Sequence, residues 1–419
     1  MRIKIDLNRS RAIIIFLLNG IWVLPSILVL ILIQIIIPIR FHGIYALNLG
    51  HFILDGAEEI FNFKKKNKRE LRLFYFINPK RVSNNQWALM IKREIPVYEF
   101  YAFYMGKWLG LLFKDKLLQS RGTSIRDMKN SRFLKDTKVE DDFSIKFTSA
   151  ENETGMNWLR SKGWKIGEPF VCLLVRDSAF DEKSRRHNKL STLSYRNSKI
   201  DVFKSSIEWL TSQKIWVIRM GTVSKEAFNL RSNYFIDYSS CLEQSDFLDI
   251  WLFSNCTGII STSSGPDALA CLYKIPLLLV DMLPLNGLYS FSKSITVPRS
   301  LYFKDNQKEL NLTETLDLSF STRYLPNYYL NSDDIDYEVS RIGIRSLTEN
   351  EILFAVKEFW LRLNLNWEES ISNTERQKEF WRIFTNHKYF HINHHMIHPE
   401  AFIGSDWLNS KDINFFSVC

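Results

Sequence analysis

The sequence predicts an α/β chain in which two open-sheet halves follow one apolar N-terminal helix. Residues 12–39 carry no charged side chain. Short apolar runs such as Pro169–Val175 and Ile275–Asp281 have the composition of strands buried on both faces of a parallel sheet. Helix-like stretches with apolar residues three and four apart separate these runs, and that alternation is what lays strands in parallel.

At 419 residues the chain exceeds one ordinary core, which argues for two domains. A hydrophobic content of 46% with 31 Phe and 12 Trp excludes a disordered chain. The net charge of +9 is concentrated in Arg2 to Arg11 and in Lys64, Lys65, Lys66, Lys68 and Arg69, on either side of the apolar segment. Anionic lipid headgroups explain basic flanks there. A nucleic-acid partner would call for basic residues interleaved with exposed aromatics in a binding module, and none is legible. The five cysteines (172, 241, 256, 271 and 419) include no C-x-x-C pair, so neither a disulfide framework nor a zinc site is expected.

The 28 residues from Ala12 to Ile39 would extend about 42 Å as a helix, enough to cross a bilayer. Pro38, Arg40 and Phe41 follow where a signal peptide would place small residues, so an uncleaved anchor is expected. Arg2, Lys4, Arg9 and Arg11 favour a cytoplasmic N-terminus, which for a spanning helix would put the body outside. A helix broken at Pro25 would instead enter and leave on one face and keep the body in the cytoplasm. This re-entrant anchor is the expected form.

In the first half, Ile44–Leu49 reads as a strand, Gly50-His51 as a glycine turn, and the residues through Glu58 and Glu59 as a helix. A glycine there lets backbone approach a ligand, although a plain turn accounts for it equally well. Leu71–Ile77 and Ile95–Tyr98 are further strands, Asp127–Asp142 loop or short helix, and Asn157–Lys162 a helix end. The division is expected near Gly163, Gly167 and Pro169.

The second half is richer. The strand ending at Val175 is followed by Arg176-Asp177-Ser178, at the strand end where open α/β sheets bind ligands. A basic loop follows with Lys183, Arg185, Arg186, His187, Lys189, Tyr195-Arg196-Asn197 and Lys199, which would suit a diphosphate or simply face solvent. Trp216–Ile218 is a strand ending in Arg219-Met220-Gly221, and Phe235–Tyr238 another. After Ile259-Ile260, the turn Ser261-Thr262-Ser263-Ser264-Gly265 leads through Pro266 into a helix from Asp267. Unpaired amides at Gly265 and Asp267 beside serine hydroxyls would cradle a phosphate, the alternative being a well-capped helix.

Together, Val-Arg-Asp-Ser-Ala, Tyr-Arg-Asn, Val-Ile-Arg-Met-Gly, Asp-Phe-Leu-Asp-Ile and Ser-Thr-x-Ser-Gly-x-Asp resemble a family of bacterial glycosyltransferases from surface-polysaccharide gene neighbourhoods. The resemblance covers roughly residues 40 to 410. It implies a GT-B fold, two Rossmann-like domains facing a cleft, with a nucleotide-sugar held by Arg176, Arg196, Arg219, Ser264, Gly265 and Asp267, joined on their positions by Asp177, Gly221 and Ser263. The acceptor, a glycan that the anchor suggests is lipid-linked, would occupy the first half near Gly50 and Glu58. The expected organisation is an anchor (1–40), an acceptor domain (41–165), a nucleotide-sugar domain (166–345) and a helical tail packing back on the body (346–419).

Sugar transfer requires a base for the acceptor hydroxyl and stabilisation of the departing diphosphate. His51, Asp55 and Glu58 are the candidate bases, ranked by closeness to the glycine turn, with His51 first. No metal or other cofactor is expected. Five tail histidines (387, 391, 394, 395 and 398) lack a convincing ligand set and read as an aromatic-histidine cluster, and Asp334-x-Asp336 has no strand before it. Thr348-x-x-Glu351 is a capping box opening a helix through Arg362. Two rival classes use the same scaffold: a nucleotide-sugar epimerase or hydrolase, which needs no membrane, and a noncatalytic assembly protein, which needs no charged strand ends.

Overall fold

The computed structural model describes residues 7–65, 70–77, 81–113, 145–177, 179, 196–222, 224, 228–324, 341–394 and 396–417. Residues 183–195 of the basic loop, Lys66–Arg69, Asp127–Asp142, Asp334-x-Asp336 and His395 lie outside the described residues. The chain is α/β with parallel sheets and one apolar N-terminal helix, divided into two compact units, 1–146 and 147–419.

In the first unit, α1 (Leu7–Ile33) is a continuous helix, with 21 residues from Ile13 apolar enough to cross a membrane at a mean hydropathy of 2.5. The expected break at Pro25 is absent. Proline removes one backbone donor, and polar side chains nearby bond to the helix's own carbonyls: Ser26 Oγ donates to Trp22 O at 2.7 Å and Asn19 Nδ2 to Ile15 O at 2.7 Å.

Next, β1 (Ile39–Ile44) pairs in parallel with β2 (Leu71–Phe76), and α2 (Leu49–Lys65) is the crossover. The strand thus begins five residues before the expected Ile44. Its ladder with β2 starts directly after the anchor, where Pro38 O accepts from Leu71 N at 2.8 Å. Asn48 O accepts the first bond of α2, from Phe52 N, so Gly50 and His51 lie inside the helix's first turn and do not form a glycine turn. Phe74 bridges in parallel to Val97, within the expected third strand. Among the described residues the unit has two further helices: α3 (Asn85–Glu94), whose Trp87 Nε1 donates to Phe52 O at 2.9 Å, and α4 (Tyr101–Phe113).

The second unit begins with α5 (Ser149–Ser161), so the packing divides the chain before this helix, ahead of the glycine-proline cluster at 163–169. It holds β3 (Phe170–Leu174), α6 (Lys204–Ser212), β4 (Trp216–Arg219), β5 (Phe235–Asp237), α7 (Asp246–Asn255), β6 (Gly258–Ser261), α8 (Ala268–Tyr273), β7 (Leu277–Met282) and β8 (Ser294–Pro298). An antiparallel ribbon of β9 (Ser300–Phe303) and β10 (Ile342–Arg345) flanks α9 (Leu312–Tyr324). The tail adds α10 (Glu349–Leu363), α11 (Ile371–Asn386) and β11 (Ala401–Ile403).

Seven parallel strands form one sheet in the order β11-β8-β7-β6-β3-β4-β5. β3, β4, β6 and β7 are buried along their whole length, as their mainly apolar sequences require. The tail shares this core through Phe380, Phe384, Trp407 and Phe415. Within the tail, buried Glu358 ties α10 to residue 405, accepting from Ser405 N at 2.8 Å, Ser405 Oγ at 2.7 Å and Arg362 Nε at 2.9 Å.

Gly155 fixes the seat of α5. A Cβ there would come within 2.2 Å of the Trp251 ring, which is buried and held by its Nε1 bond to Asn152 Oδ1 at 3.1 Å. Gly155→Ala improves helix propensity by about 1 kcal/mol, but overpacking of this kind costs about 1–3 kcal/mol. A net loss of stability is therefore expected in urea unfolding followed by tryptophan fluorescence, and an unchanged or raised midpoint would show that Trp251 can move aside.

Candidate functional site

The order of the seven strands creates a crevice. From β3 the chain runs outward to β4 and β5, then returns to the other side of β3 and continues through β6, β7 and β8. The crossovers diverge between β3 and β6, so the C-terminal ends of these neighbours form a topological switch point, where open α/β sheets bind ligands.

Arg176 sits there. Its backbone N–H donates across the switch to Thr262 Oγ1 at 2.8 Å, its carbonyl accepts from Ser198 N at 2.9 Å, and its Nε donates to Asn197 Oδ1 at 3.3 Å. Arg196 reaches the same turn, with Nη2 donating to Ser263 O at 2.8 Å. Ser263 holds φ at +66°, a left-handed conformation that costs a non-glycine residue energy and concentrates at functional sites. The Arg176, Tyr-Arg-Asn and Ser-Thr-Ser-Ser-Gly segments, far apart in sequence, therefore converge over β3 and β6.

The turn's amides are less open than expected. Asp267, fully buried, accepts from Ser264 N at 2.6 Å, and Asp267 N donates to Ser264 O at 3.3 Å, a reciprocal cap closing Ser264-Gly265-Pro266. Amides expected at Gly265 and Asp267 to face a phosphate are thus partly engaged by the turn itself. Burial pushes the Asp267 carboxyl up to about 6, offset in part by its hydrogen bonds from Ser264 and Ser261 and by nearby Arg196.

Two residues that sequence reasoning missed hold this arrangement. Asp281, buried in β7 at φ +55°, accepts from Arg299 Nη2 at 3.0 Å, from the Ser198 hydroxyl and from Leu347 N at 2.8 Å. Arg299, after β8, also donates to Asn197 O at 2.7 Å. The pair clamps the 196–198 segment over the switch point. A charged residue interrupting the apolar run Leu277–Met282 was the available signal for Asp281; Arg299 had none.

Arg219 emerges on the other flank of β3. Buried, it pairs with Asp237 Oδ2 at 3.0 Å, opposite it in the β4–β5 ladder, and Asp237 also accepts from Ser239 Oγ at 2.5 Å. Gly221, at φ +146°, offers its carbonyl to Gln244 Nε2 at 3.0 Å, and Asp177 Oδ1 accepts from Ala179 N at 2.8 Å. The structure thus gathers Arg176, Arg196, Ser263, Ser264, Gly265 and Asp267 at one switch point and sets Arg219 and Gly221 beside it.

No known protein family, curated protein or solved structure matches the chain. The chemistry of the rim therefore rests on its own residues.

In the first unit, Asp55 is 2% exposed on α2, and burial first, then Glu58 and Glu59, raises its carboxyl well above the usual range. Burial of this kind favours the neutral carboxyl over the carboxylate that a general base requires. His51 and Glu58, two turns apart on the same face of α2, are half-buried, and the His51 ring meets Tyr45 edge-on at 5.8 Å. His42 of β1, which sequence reasoning passed over, lies 3.1 Å from Glu59.

Two cavities of the second unit, about 280 and 460 Å³, lie at the opposite edge of the sheet, beside Pro276, Ser294 and Ala401 where β7, β8 and β11 begin, and have no part in the rim. Among the described residues, no group of three or more His, Cys, Asp and Glu is placed to hold a metal. In the tail, His394 is buried between Phe384 and Phe390, with Nδ1 at 2.8 Å from Ser290 Oγ and Nε2 at 2.9 Å from Asn286 O.

Proposed function

We propose that the second unit binds a nucleotide-sugar by its diphosphate at the β3–β6 switch point, and that the chain is a membrane-associated, metal-independent glycosyltransferase of GT-B type with its body in the cytoplasm. One observation carries the reading: Arg176 and Arg196 converge with the Ser263–Gly265 turn where the crossovers of a seven-stranded parallel sheet diverge. A guanidinium fork matches the paired oxygens of a diphosphate, and the charge it neutralises grows as the glycosidic bond breaks and the nucleotide leaves. In this reading the first unit receives a glycan or lipid-linked acceptor, with His51 or Glu58 taking the proton of the attacking hydroxyl and buried Asp55 supporting the helix that carries them.

The test is thermal unfolding of the purified full chain against a panel of nucleotide-sugars. A ligand at a hundred times its Kd adds about 2.7 kcal/mol. Arg176→Ala is expected to weaken binding by about 1.5–3 kcal/mol, the worth of a charged hydrogen bond, and to cancel most of the shift without lowering the unliganded melting temperature. If no nucleotide-sugar raises the melting temperature, the reading fails. A shift that survives Arg176→Ala removes this residue from the site. Product analysis with and without acceptor then separates transfer from epimerisation.

A further inference from the structure

We propose that α4 is a second membrane-embedded element, and that α1 and α4 lie side by side in the plane of one leaflet instead of α1 crossing the bilayer. The inference concerns the first unit alone and does not depend on the proposed transferase activity.

The buried positions of α1 fall at Gly20, Val23, Ile27 and Leu30, spacings of three and four that mark one face. That face packs on folded protein: Val23, Ile27 and Leu30 share a core with Ile39 and Phe41 of β1, Leu73 and Tyr75 of β2, and Ala102, Met105 and Leu109 of α4. α4 runs antiparallel along it, since Trp108 stacks on Phe16 at 4.6 Å while Phe100 and Tyr101, about two turns earlier, stack on Trp22 at 5.8 and 5.5 Å. Gly20 permits the close approach, because a Cβ there would meet Trp108 at 2.8 Å.

Crossing the hydrocarbon takes about 20 helical residues, so a spanning α1 would use all of Ile13–Ile33 and place the packed face at the bilayer centre. Strands β1 and β2, with Arg40 and the Glu70–Arg72 ion pair, would be drawn in with it. An open sheet edge has no place in hydrocarbon. Lying flat, α1 keeps the sheet on the aqueous side.

What remains exposed on α1 is apolar where a soluble helix would be charged. Leu17, Ile21, Leu24, Leu28 and Leu32 line that face, and Leu111 and Leu112 at the end of α4 extend it. A continuous apolar surface of this size needs a cover. Its surroundings match phospholipid: Arg11 and Arg40 bound the uncharged stretch, and the exposed Tyr98 and Tyr101 carry amphipathic rings of the kind that settle at headgroup level.

Depth-dependent fluorescence quenching tests the geometry. Single cysteines at Leu17, Leu24, Leu32 and Leu111 are labelled in full-length protein carrying Cys241→Ser and Cys419→Ser, reconstituted in vesicles of phosphatidylcholine and phosphatidylglycerol with bromine at shallow or deep acyl positions. The expected result is one shared shallow depth for all four labels, with tags at the two ends of the chain on the same side of sealed vesicles. Deepest quenching at Leu24 with shallow readings at Leu17 and Leu32, or tags on opposite sides, would establish a crossing helix and overturn the proposal. A label at Leu111 that no brominated lipid quenches would remove α4 from the membrane, including the case in which a second copy of the chain covers it. Leu111→Glu/Leu112→Glu, at exposed positions that leave the fold intact, is expected to weaken vesicle partitioning about tenfold to a hundredfold, with Leu242→Glu as an unchanged control. Equal partitioning of both variants would count against the proposal.

Discussion

Arg299→Ala is expected to lower the unfolding free energy of the second unit by about 3–5 kcal/mol, the range for removing one partner of a buried ion pair. The side chains of Arg299 and Asp281 are 4% and 1% exposed, so water cannot take the place of the lost guanidinium. Asp281 would be left without its cation, still bonded to the Ser198 hydroxyl and Leu347 N. The 196–198 segment would lose the Arg299 bonds to Asn197 O and Ser198 Oγ, and with them part of the support for Arg176. Urea unfolding reads the first effect and the nucleotide-sugar thermal shift the second. The double variant Asp281→Asn/Arg299→Met is expected to recover much of the stability, because it removes both charges together while asparagine accepts the left-handed backbone at position 281. A loss below 1 kcal/mol for Arg299→Ala would mean that the pair is solvated in solution.

The stability of the second unit is also expected to fall as pH rises from about 4 to 7, and Asp267→Asn is expected to remove a large part of that fall. Burial lifts the Asp267 carboxyl to about 6 in the folded chain, from an ordinary value of 3.8. The folded state therefore holds this proton more tightly than the unfolded one. The resulting stabilisation is complete below the unfolded pKa and is lost as pH rises through the folded one, amounting to about 2–3 kcal/mol. Asp249, also raised to about 6, mainly by burial, contributes over the same interval and leaves a residual slope in the variant. Asparagine keeps an acceptor for Ser264 N, so the cap survives the exchange. A diphosphate beside the Ser263–Gly265 turn would add its charge to that of ionised Asp267, so nucleotide-sugar affinity should weaken as pH rises through about 6 in the parent chain and stay flat in Asp267→Asn. Parallel stability curves for the two chains would show that Asp267 ionises without penalty.

The second sheet was legible because its strands are short, mainly apolar and separated by amphipathic helices: Phe170–Leu174, Trp216–Arg219, Gly258–Ser261 and Leu277–Met282 all fall on runs that periodicity picks out. Thr348 and Glu351 likewise announced α10 by local chemistry. What escaped was set by partners distant in sequence. Arg299 and Asp281 acquire their role only when β7 and β8 lie side by side, and Arg219 looked like a ligand contact until β5 brought Asp237 opposite it. The strand Ile39–Ile44 was hidden by the apolar segment before it, since composition alone does not show where a membrane helix stops and a strand begins. His42 was passed over because its neighbour Glu59 stands on the crossover helix, and only the β1-α2-β2 unit brings them together.

The pairing of β11 with β8 has a bearing on biosynthesis. The flank of β8 that receives residues 401–403 stays open until roughly a hundred more residues have left the ribosome, and an unpaired strand edge is a template for association between chains. By then α1 and α4 have long since emerged, so each nascent chain can be tethered to lipid, and kept apart from its neighbours, before the vulnerable border is sealed.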